Sequence, residues 1–419
     1  MILPMIAVAA LSAPNVVIIS VDTLRVDHLG MYGHPQNTSP NLDALALESL
    51  VFDDMLTEIP LTGPSFCSMM SSLYPRVTGA TRNGLRLPDD VETIAQIFQN
   101  ANYETMCVTS NWTLKRKLSG LDRGFDIYED DFQEKRWGFI KSERDGDEVT
   151  SIALSLLENR DTAKPLFTWF HYSDPHAPYK KKRSHTVSKK SDYPNDKGAK
   201  IKVRYDSEIH FTDAQIKIVL DALPKENTFI LFVADHGESI KEHNYLGHGR
   251  RIYQTGLHVP LMIAGPGIEA GRTDVPARGV DIAPTILGFA GLTVPEAMLG
   301  RDLLNDQPPM DRVRVMETYG GAVPNLKVTK ALMAGKPPQR QTVIHNGWKL
   351  ILGGAKEELY HLSEDPLETS DLIEAQVDIA DDLQQLITDW DESTTRNMEN
   401  DAELSDDDVE ALKSLGYVE

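Results

Sequence analysis

Two widely separated segments of the chain contain the residue types of a metal site. Asp22 follows the apolar residues 16–19, and Asp235 and His236 follow the apolar residues 229–233. Such runs, rich in β-branched residues, are typical of strands buried on both faces of a parallel sheet. Because ligands bind beyond the carboxyl ends of these strands, both carboxylates are expected at one crevice. Two aspartates and an adjacent histidine in that position indicate a site for a divalent metal.

Thr62 stands at the start of a third segment that contains residues suited to catalysis. Thr62 suits an N-cap, Pro64 suits the first turn, and apolar residues at helical spacing predict a helix over 64–73 that Pro75 ends. A hydroxyl there faces the positive end of the helix dipole, where free backbone N–H groups can hold a tetrahedral anion. A cap without catalytic function explains Thr62 alone, and only the metal-type segments on either side favour a catalytic role.

The elements that position these residues alternate along the first 300 residues. This pattern predicts an α/β fold, a doubly wound, mostly parallel sheet flanked by helices. The predicted strands are 15–21, 104–109, 166–171, 228–234 and 259–264. The predicted helices are 40–50, 64–73, 92–101, 148–158 and 205–223.

The pattern of predicted elements changes after about residue 305. Short antiparallel strands are predicted at 312–318, 341–346, 347–353 and 357–362, with a turn at Asn346 and Gly347. A helix at 376–391, an acidic tail and a short final helix to about Leu415 follow. We therefore expect a catalytic domain over 14–305 and a small α+β subdomain over 306–419.

Composition and net charge limit the classes of partner that the protein can bind. The chain has 419 residues, 41% hydrophobic and 25% charged, as in folded proteins. Its net charge of −21 disfavours a nucleic-acid polymer or an anionic membrane as partner. A small anionic substrate stays compatible, because a metal and a few basic groups can reverse the charge within a cleft. Cys67 and Cys107 alone imply neither a disulfide framework nor a cysteine-rich zinc site.

The first 13 residues are apolar and end in Ala-Leu-Ser-Ala, as a signal peptide would. We therefore expect a periplasmic or secreted protein. The segment lacks a basic start, and Pro14 is a poor residue after a cleavage site, so a cytoplasmic location is the alternative. No later stretch is long and apolar enough to predict a membrane span, and nothing in the sequence indicates an oligomeric state.

The order of the motifs resembles the alkaline phosphatase superfamily, specifically its sulfatase-like branch. The matching residues are Asp22, Thr62-x-Pro-Ser, Asp235-His236-Gly-Glu and Gly247-His248-Gly. Further matches lie at residues 124–126, 174–179, 259–261, 348–351, 358–360, 365–366 and 412–418. The resemblance covers residues 14–419 and implies a metal-dependent hydrolase of anionic esters.

The departures from the sulfatase pattern concern the nucleophile. Sulfatases carry a Cys or Ser, oxidised to formylglycine, within Cys-x-Pro-x-Arg. Here Thr62 and Phe66 stand at the first and last positions, and Cys67 has no such motif around it. Thr23 replaces a second aspartate, and His236 stands where many sulfatases have Asn.

In its threonine the chain instead resembles two other groups of this superfamily, which use a threonine nucleophile. These are the nucleotide pyrophosphatase/phosphodiesterases and the phosphoethanolamine or phosphoglycerol transferases. The resemblance thus implies hydrolysis of phosphate mono- or diesters, or phosphoryl-type transfer, with Thr62 as nucleophile. A sulfuric ester hydrolase that works without formylglycine is the alternative. A catalytically inactive, sulfatase-like binding protein is the third interpretation.

The same resemblance implies a ligand set for the cation. Asp22, Thr62, Asp235 and His236 would hold one divalent ion. The imidazole favours zinc or manganese over calcium or magnesium. One ion is favoured over two, although Asp174, His176 and His248 could hold a second.

Four further residues are expected around the substrate. His176 and His248 are candidates for binding its equatorial oxygens or protonating the leaving alcohol. Arg25 contacts the anion or pairs with Asp27 or Asp235. Asn111 donates to a substrate oxygen or is a plain turn residue.

The substrate itself is expected to be a small molecule, a glycan or a lipid headgroup that carries an anionic ester. Residues 112–145 and 180–200 are expected to determine specificity. Trp112, Trp137 and Tyr179 either face a sugar or aryl group or serve packing. The basic stretch that begins at Lys180 is either a solvated loop or a rim that attracts anions.

Overall fold

The computed structural model describes residues 13–131, 135–136, 139–140, 143–180, 182–321, 333 and 336–395. Most of the apolar leader, Trp137, the acidic tail and the final predicted helix lie outside these residues, so the expectations about them stay predictions. Among the described residues, no helix has the length and apolarity needed to cross a membrane.

An eight-stranded sheet forms the centre of the molecule. Its strands are β1 (Asn15–Val21), β2 (Leu50–Phe52), β3 (Glu104–Val108), β4 (Ile127–Glu129), β5 (Leu166–Tyr172), β6 (Thr228–Ala234), β7 (Leu261–Ala264) and β8 (Gly271–Thr273). Their order is β8-β2-β7-β6-β1-β5-β3-β4, and all neighbours pair in parallel except those of β7. The predicted α/β class and all five predicted strands are confirmed.

Helices cover both faces of this sheet. They are α1 (Pro40–Ala46), α2 (Thr62–Ser71), α3 (Pro75–Thr78), α4 (Ile94–Asn100), α5 (Arg116–Ser119), α6 (Gly146–Asn159), α7 (Ala199–Ala222), α8 (Gln254–Leu257) and α9 (Ile282–Phe289). Short 3₁₀ turns lie at Val26–His28, Gly30–Tyr32, Trp112–Leu114, Arg183–His185, Lys190–Asp192, Glu242–Asn244 and Gly279–Asp281. Two-residue ladders join Met55–Leu56 to Ala277–Arg278, Ser239–Ile240 to Leu246–Gly247, and Lys135–Arg136 to Phe139–Ile140.

Several predicted boundaries were wrong; helix α7, for example, begins at Ala199 and not at about residue 205. The helix expected over 40–50 ends at Ala46, because residues 50–52 pair with β7 and β8. Helix α2 takes Thr62 as its first residue, and its N-cap is Leu61. It ends at Ser71, where Ser72 adopts a left-handed conformation (φ 57°), so Pro75 begins α3 and does not stop α2. Strands β2, β4 and β8 were not predicted, because three residues are too few for a periodic pattern.

A four-stranded antiparallel sheet follows. Its strands are β9 (Arg314–Thr318), β10 (Arg340–His345), β11 (Trp348–Leu352) and β12 (Glu358–His361), and α10 (Val377–Ser393) packs on it. Asn346 and Gly347 both have positive φ, as the predicted two-residue hairpin turn requires. The buried Arg76 of α3 contacts Glu317 of β9 and Asp391 of α10, which ties this sheet to the segment that follows α2.

Candidate active site

The ends of β1 and β6 bring Asp22 and Asp235 together. These strands pair in parallel, with Val21 opposite Ala234, so the next residue of each strand emerges at the same edge. Both carboxylates are completely buried. Asp235 Oδ1 accepts the backbone N–H groups of Thr23 (3.1 Å) and His236 (2.8 Å). Asp22 Oδ1 and Asp235 Oδ2 have no hydrogen-bond partner among the described residues.

His236 is the third residue of this cluster. Its Nδ1 lies 2.9 Å from the carbonyl oxygen of Gly237, so Nδ1 carries the proton and Nε2 presents its lone pair. Nε2 lies 3.4 Å from Asp235 Oδ2 and 3.8 Å from Asp22 Oδ1. The ligand atoms of the three residues all fall within 4.8 Å of one another. Two orphaned carboxylate oxygens and an oriented imidazole nitrogen fit a divalent cation, as the sequence predicted.

The electrostatics of the three residues also favour a cation. Burial, and secondarily the charge of Asp235, raises the pKa of Asp22 to about 7. Burial raises the pKa of Asp235 to about 6. Burial, with the neighbouring His248, lowers the pKa of His236 to about 3. The protein alone therefore stabilises neither carboxylate charge well, whereas a bound cation neutralises both.

Thr62 lies at this cluster. Its Oγ1 is 3.3 Å from His236 Nε2, and its side chain is buried at the first turn of α2. The hydroxyl of Ser65, one turn along the helix, donates to the carbonyl oxygen of Asp235 (2.8 Å). This bond fixes the start of α2 against the end of β6.

The anion cradle expected at the start of α2 needs a correction. The N–H of Gly63 donates to Asn83 Oδ1 (2.8 Å), and Pro64 has no N–H. The next N–H, that of Ser65, already donates to the carbonyl of Leu61. Residues 63–65 therefore offer a substrate no free backbone N–H group.

His176 and His248 stand over the metal-type cluster. The His248 ring lies 4.5 Å from that of His236 and 5.2 Å from that of His176. Both rings are partly exposed, in contrast to the buried ligands beneath them, so the cleft opens on their side. The structure thus places both histidines next to this cluster, and their membership of the active site and their chemical roles stay predictions.

Each of these histidines has a carboxylate partner that sequence reasoning did not assign. Glu143 Oε1 lies 2.6 Å from His176 Nδ1, and Glu238 Oε1 lies 3.2 Å from His248 Nδ1. Burial opposes the charge on His176, but Asp22 and Glu143 outweigh it and raise its pKa to about 10. The pKa of His248 is raised too, since Glu238 outweighs burial. Glu238 belongs to the Asp-His-Gly-Glu motif, whereas no pattern in the sequence marks Glu143.

Two of the predicted substrate contacts have other partners. Arg25 donates to Asp27 (2.6 Å) and Glu242 (2.9 Å) and to the carbonyl of Glu238, so its guanidinium serves a carboxylate network. The alternative of pairing with Asp27 is thus correct, and the anion contact finds no support. Asn111 Nδ2 donates to Asp22 Oδ2 (2.5 Å), and its Oδ1 accepts the N–H of Thr113, as a turn residue would. Its contact with a substrate oxygen stays a prediction.

The second cation site is not assembled in the described part of the chain. Asp174 Oδ1 pairs with Lys182 (3.1 Å), and its Oδ2 accepts the N–H of Gly146 (2.8 Å). Asp174 therefore does not join His176 and His248. Lys180 likewise pairs with Asp145 (3.0 Å), which favours the plain-loop interpretation of this basic stretch.

The residues that depart from the formylglycine pattern are packed in the interior. The ring of Phe66 lies 4.7 Å from that of Trp169, which explains how an apolar side chain fills the place of the arginine. Cys67 is buried, and burial raises the pKa of its thiol to about 12. Neither residue can supply the chemistry of a formylglycine site.

Comparison with known proteins places this fold and cleft in a family. The sequence profile named Sulfatase matches residues 14–292. The chain belongs to the sulfatase family. It is 28% identical, over 75% of its own length and 70% of the other, to an ulvan-active sulfatase of Formosa agariphila. As a member of this family it is a metal-dependent ester hydrolase.

Solved structures share the architecture. A phosphonate monoester hydrolase of Agrobacterium radiobacter has a TM-score of 0.75 at 18% identity, with 94% of this chain and 98% of that one covered. A protein solved in complex with its substrate D-glucosamine-2-N,6-O-disulfate has a TM-score of 0.76 at 20% identity, with 94% and 100% covered. At these identities the likeness shows the fold, and the substrate must be argued from this chain's own residues.

Proposed function

We propose that this protein hydrolyses phosphorus oxyacid esters, phosphate mono- or diesters above all, with Thr62 as nucleophile. The observation that carries the proposal is the position of the Thr62 hydroxyl, 3.3 Å from His236 Nε2. The same nitrogen lies 3.4 and 3.8 Å from the two orphaned carboxylate oxygens. A threonine has no route to formylglycine, and Cys67 is too buried to replace it. Transfer of the ester group to the hydroxyl itself is the chemistry that this residue offers.

Asp22, Asp235 and His236 would hold the cation, with Thr62 as fourth ligand. A divalent ion supplies positive charge that lowers the pKa of the Thr62 hydroxyl and neutralises the anionic ester. A donor set of oxygens with one imidazole nitrogen suits zinc or manganese better than calcium or magnesium. Asn111 holds Asp22 in place through the 2.5 Å hydrogen bond.

The protein's own groups then divide the remaining work. The Thr62 hydroxyl gives up its proton to solvent, and its oxygen forms a bond to phosphorus in line with the departing alcohol. His176 or His248 donates the proton that the leaving oxygen needs, since the neighbouring Glu143 and Glu238 favour the protonated imidazole and raise its pKa. Water afterwards cleaves the phosphothreonine.

Sulfate esters are the second candidate substrate class. The named relatives support it, since the Formosa agariphila protein is an ulvan-active sulfatase and one structural neighbour binds a disulfated glucosamine. The phosphonate monoester hydrolase supports the phosphorus esters. Both classes agree with a small molecule or glycan as substrate. An inactive binding protein would retain neither bound metal nor turnover.

A panel of aryl phosphate monoesters, phosphate diesters, phosphonate esters and sulfate esters tests the proposal, with the divalent metal varied. Wild type should turn over a phosphorus ester fastest. Thr62→Ala should lose at least about a hundredfold in kcat while it retains metal, and Thr62→Ser should retain part of the activity.

Ser68→Ala is the matched control on the same helix, because the buried Ser68 hydroxyl has no hydrogen-bond partner among the described residues. Its activity should equal that of wild type. Full activity of Thr62→Ala would exclude Thr62 as nucleophile. Turnover of sulfate esters alone would favour the second substrate class.

Export of the chain stays a prediction from residues 1–13. It predicts a mature protein in the periplasm or medium whose N-terminus lies near Ala13 or Pro14. Sequencing the N-terminus of the mature protein tests this prediction, and an intact N-terminus in the cytoplasm would contradict it.

A further inference from the structure

Arg82 is a buried guanidinium without an anionic partner among the described residues. The residue is only 7% exposed, and its Nε is inaccessible to solvent with no hydrogen-bond partner. The other most deeply buried arginines each pair with a carboxylate: Arg25 with Asp27, Arg76 with Glu317, Arg144 with Glu129, and Arg278 with Glu58. An uncompensated buried charge is costly.

Burial also lowers the pKa of Arg82, which sets it apart from Arg25 and Arg76, whose pKa values are raised by acidic neighbours. The side-chain amide of Gln339, a neutral group, lies close to its guanidinium. A Cβ placed on Gly320 would meet Arg82 NH1 and the side-chain amide of Gln339, each at 3.0 Å. Within the described part of the chain, no carboxylate forms an ion pair with Arg82, although a guanidinium normally binds an oxyanion.

The position of Arg82 connects it to the reaction centre from two sides. The next residue, Asn83, accepts the N–H of Gly63, directly after the nucleophile. On the other side Tyr319, directly before Gly320, belongs to the same small apolar cluster as Ile59 and Leu61. Arg82 is therefore anchored at the start of α2.

The segment that contains Tyr319 and Gly320 also contacts the loop of His248. Thr318 at the end of β9 donates its hydroxyl proton to the carbonyl of Gly249, the residue after His248. A Cβ on Gly249 would come within 2.8 Å of Leu61. The end of β9, the start of α2 and the His248 loop thus meet around one place, and Arg82 belongs to it.

We infer that Arg82 binds a second oxyanion of the substrate, a carboxylate, sulfate or phosphate on the alcohol side of the scissile ester. This inference rests on the proposed ester hydrolysis and names its substrate class as a doubly anionic ester. The planar guanidinium can hold such a group through two parallel N–H···O bonds. Bound substrate supplies the charge that the protein lacks at this position.

Turnover of two matched esters tests the inference. Both carry the same scissile group, and one bears an additional carboxylate on the leaving alcohol. Arg82→Gln should lower kcat/KM for the carboxylate-bearing ester about 10- to 100-fold and change the other less than twofold, since a charged hydrogen bond is lost. Arg82→Lys, which keeps the charge without the fork, should fall between wild type and Arg82→Gln and serves if Arg82→Gln does not fold.

Arg86→Gln is the control variant, because it removes the same charge four residues away from a side chain that is 44% exposed. It should behave as wild type with both esters. An equal loss for both esters in Arg82→Gln, or no loss, would overturn the inference.

A binding measurement separates this inference from the proposed function. With the metal removed by a chelator, Asp22 and Asp235 repel anions at the reaction centre, whereas Arg82 remains. Inorganic sulfate is added at ten times its Kd for the site and compared with chloride at equal ionic strength. It should raise the Tm of wild type and of Arg86→Gln about 1–2 °C more than that of Arg82→Gln. Equal sulfate responses would refute the Arg82 site even if ester turnover is confirmed. A sulfate response specific to Arg82 would support it even if no phosphorus ester is cleaved.

Discussion

Replacing Asp235 by Asn should stabilise the metal-free protein at alkaline pH and abolish its response to metal. Asn keeps the Oδ1 that accepts the N–H groups of Thr23 and His236. It exchanges the orphaned Oδ2 for an amide that can donate to the orphaned Oδ1 of Asp22. The substitution therefore removes a buried like charge without leaving a cavity.

The magnitude follows from the pKa of Asp235. The difference between its raised value of about 6 and the ordinary 3.8 corresponds to about 3 kcal/mol. An acid whose pKa is higher in the folded state adds stability below its unfolded pKa, and this stability is lost as the pH rises through the folded value. The metal-free wild type should therefore lose about 3 kcal/mol from this group between about pH 4 and pH 7. Asp235→Asn should escape that loss.

Thermal unfolding in chelator at pH 8 and at pH 4.5 measures the effect. At pH 8 the Tm of Asp235→Asn should exceed that of wild type by about 1–3 °C, given the unfolding entropy of a chain of this length. At pH 4.5 the difference in Tm should shrink to about a third, because Asp235 of the folded wild type is then largely protonated and as uncharged as the asparagine. Added zinc or manganese should raise the Tm of wild type and leave the variant unchanged.

Asp206→Asn is the matched control with the opposite sign. Asp206 is buried too, but His28 (2.7 Å), Ser188 and Tyr193 donate to it and lower its pKa against the effect of burial. This variant should be less stable than wild type at pH 8. A metal-free Asp235→Asn that is also less stable than wild type at pH 8 would refute the argument that unneutralised carboxylates define this site.

Three further predictions concern neighbouring residues. His176→Gln and His248→Gln should each lower kcat about 10²- to 10⁴-fold for esters of poor leaving alcohols and much less for 4-nitrophenyl esters; equal losses for both ester types would exclude proton donation. Asn111→Ala should weaken metal binding about 10- to 100-fold in a metal titration, because Asp22 loses its 2.5 Å support, and unchanged affinity would contradict this. Cys67, whose thiol pKa burial raises to about 12, should resist a thiol reagent in the folded protein, and rapid labelling with loss of activity would show that it is accessible.

Local patterns account for what the sequence could predict. The strands before Asp22 and Asp235 are long apolar runs, and parallel strands present their ends at one edge, so the metal cluster followed from two short segments. Thr62 could be placed at the start of a helix by its spacing from the apolar residues of α2. Family motifs then added His176 and His248.

Contacts between distant segments account for what it could not predict. The partner of Asp22 is Asn111, 89 residues away, and no local pattern shows that an amide after β3 turns to a carboxylate after β1. Glu143 follows a stretch without a periodic sequence pattern, and its approach to His176 depends on how the two segments pack. Arg25 was equally open, since its choice of Glu242 over an anion depends on the loop after β6.

Covalent labelling of Thr62 during turnover tests the central claim most directly. A rapidly quenched reaction with a phosphate ester, digested and analysed by peptide mass spectrometry, should show a phosphoryl group on the peptide that contains Thr62. The label should be absent from Thr62→Ala and from metal-free wild type. Sustained turnover with an unmodified Thr62, or with the label on another residue, would contradict the account.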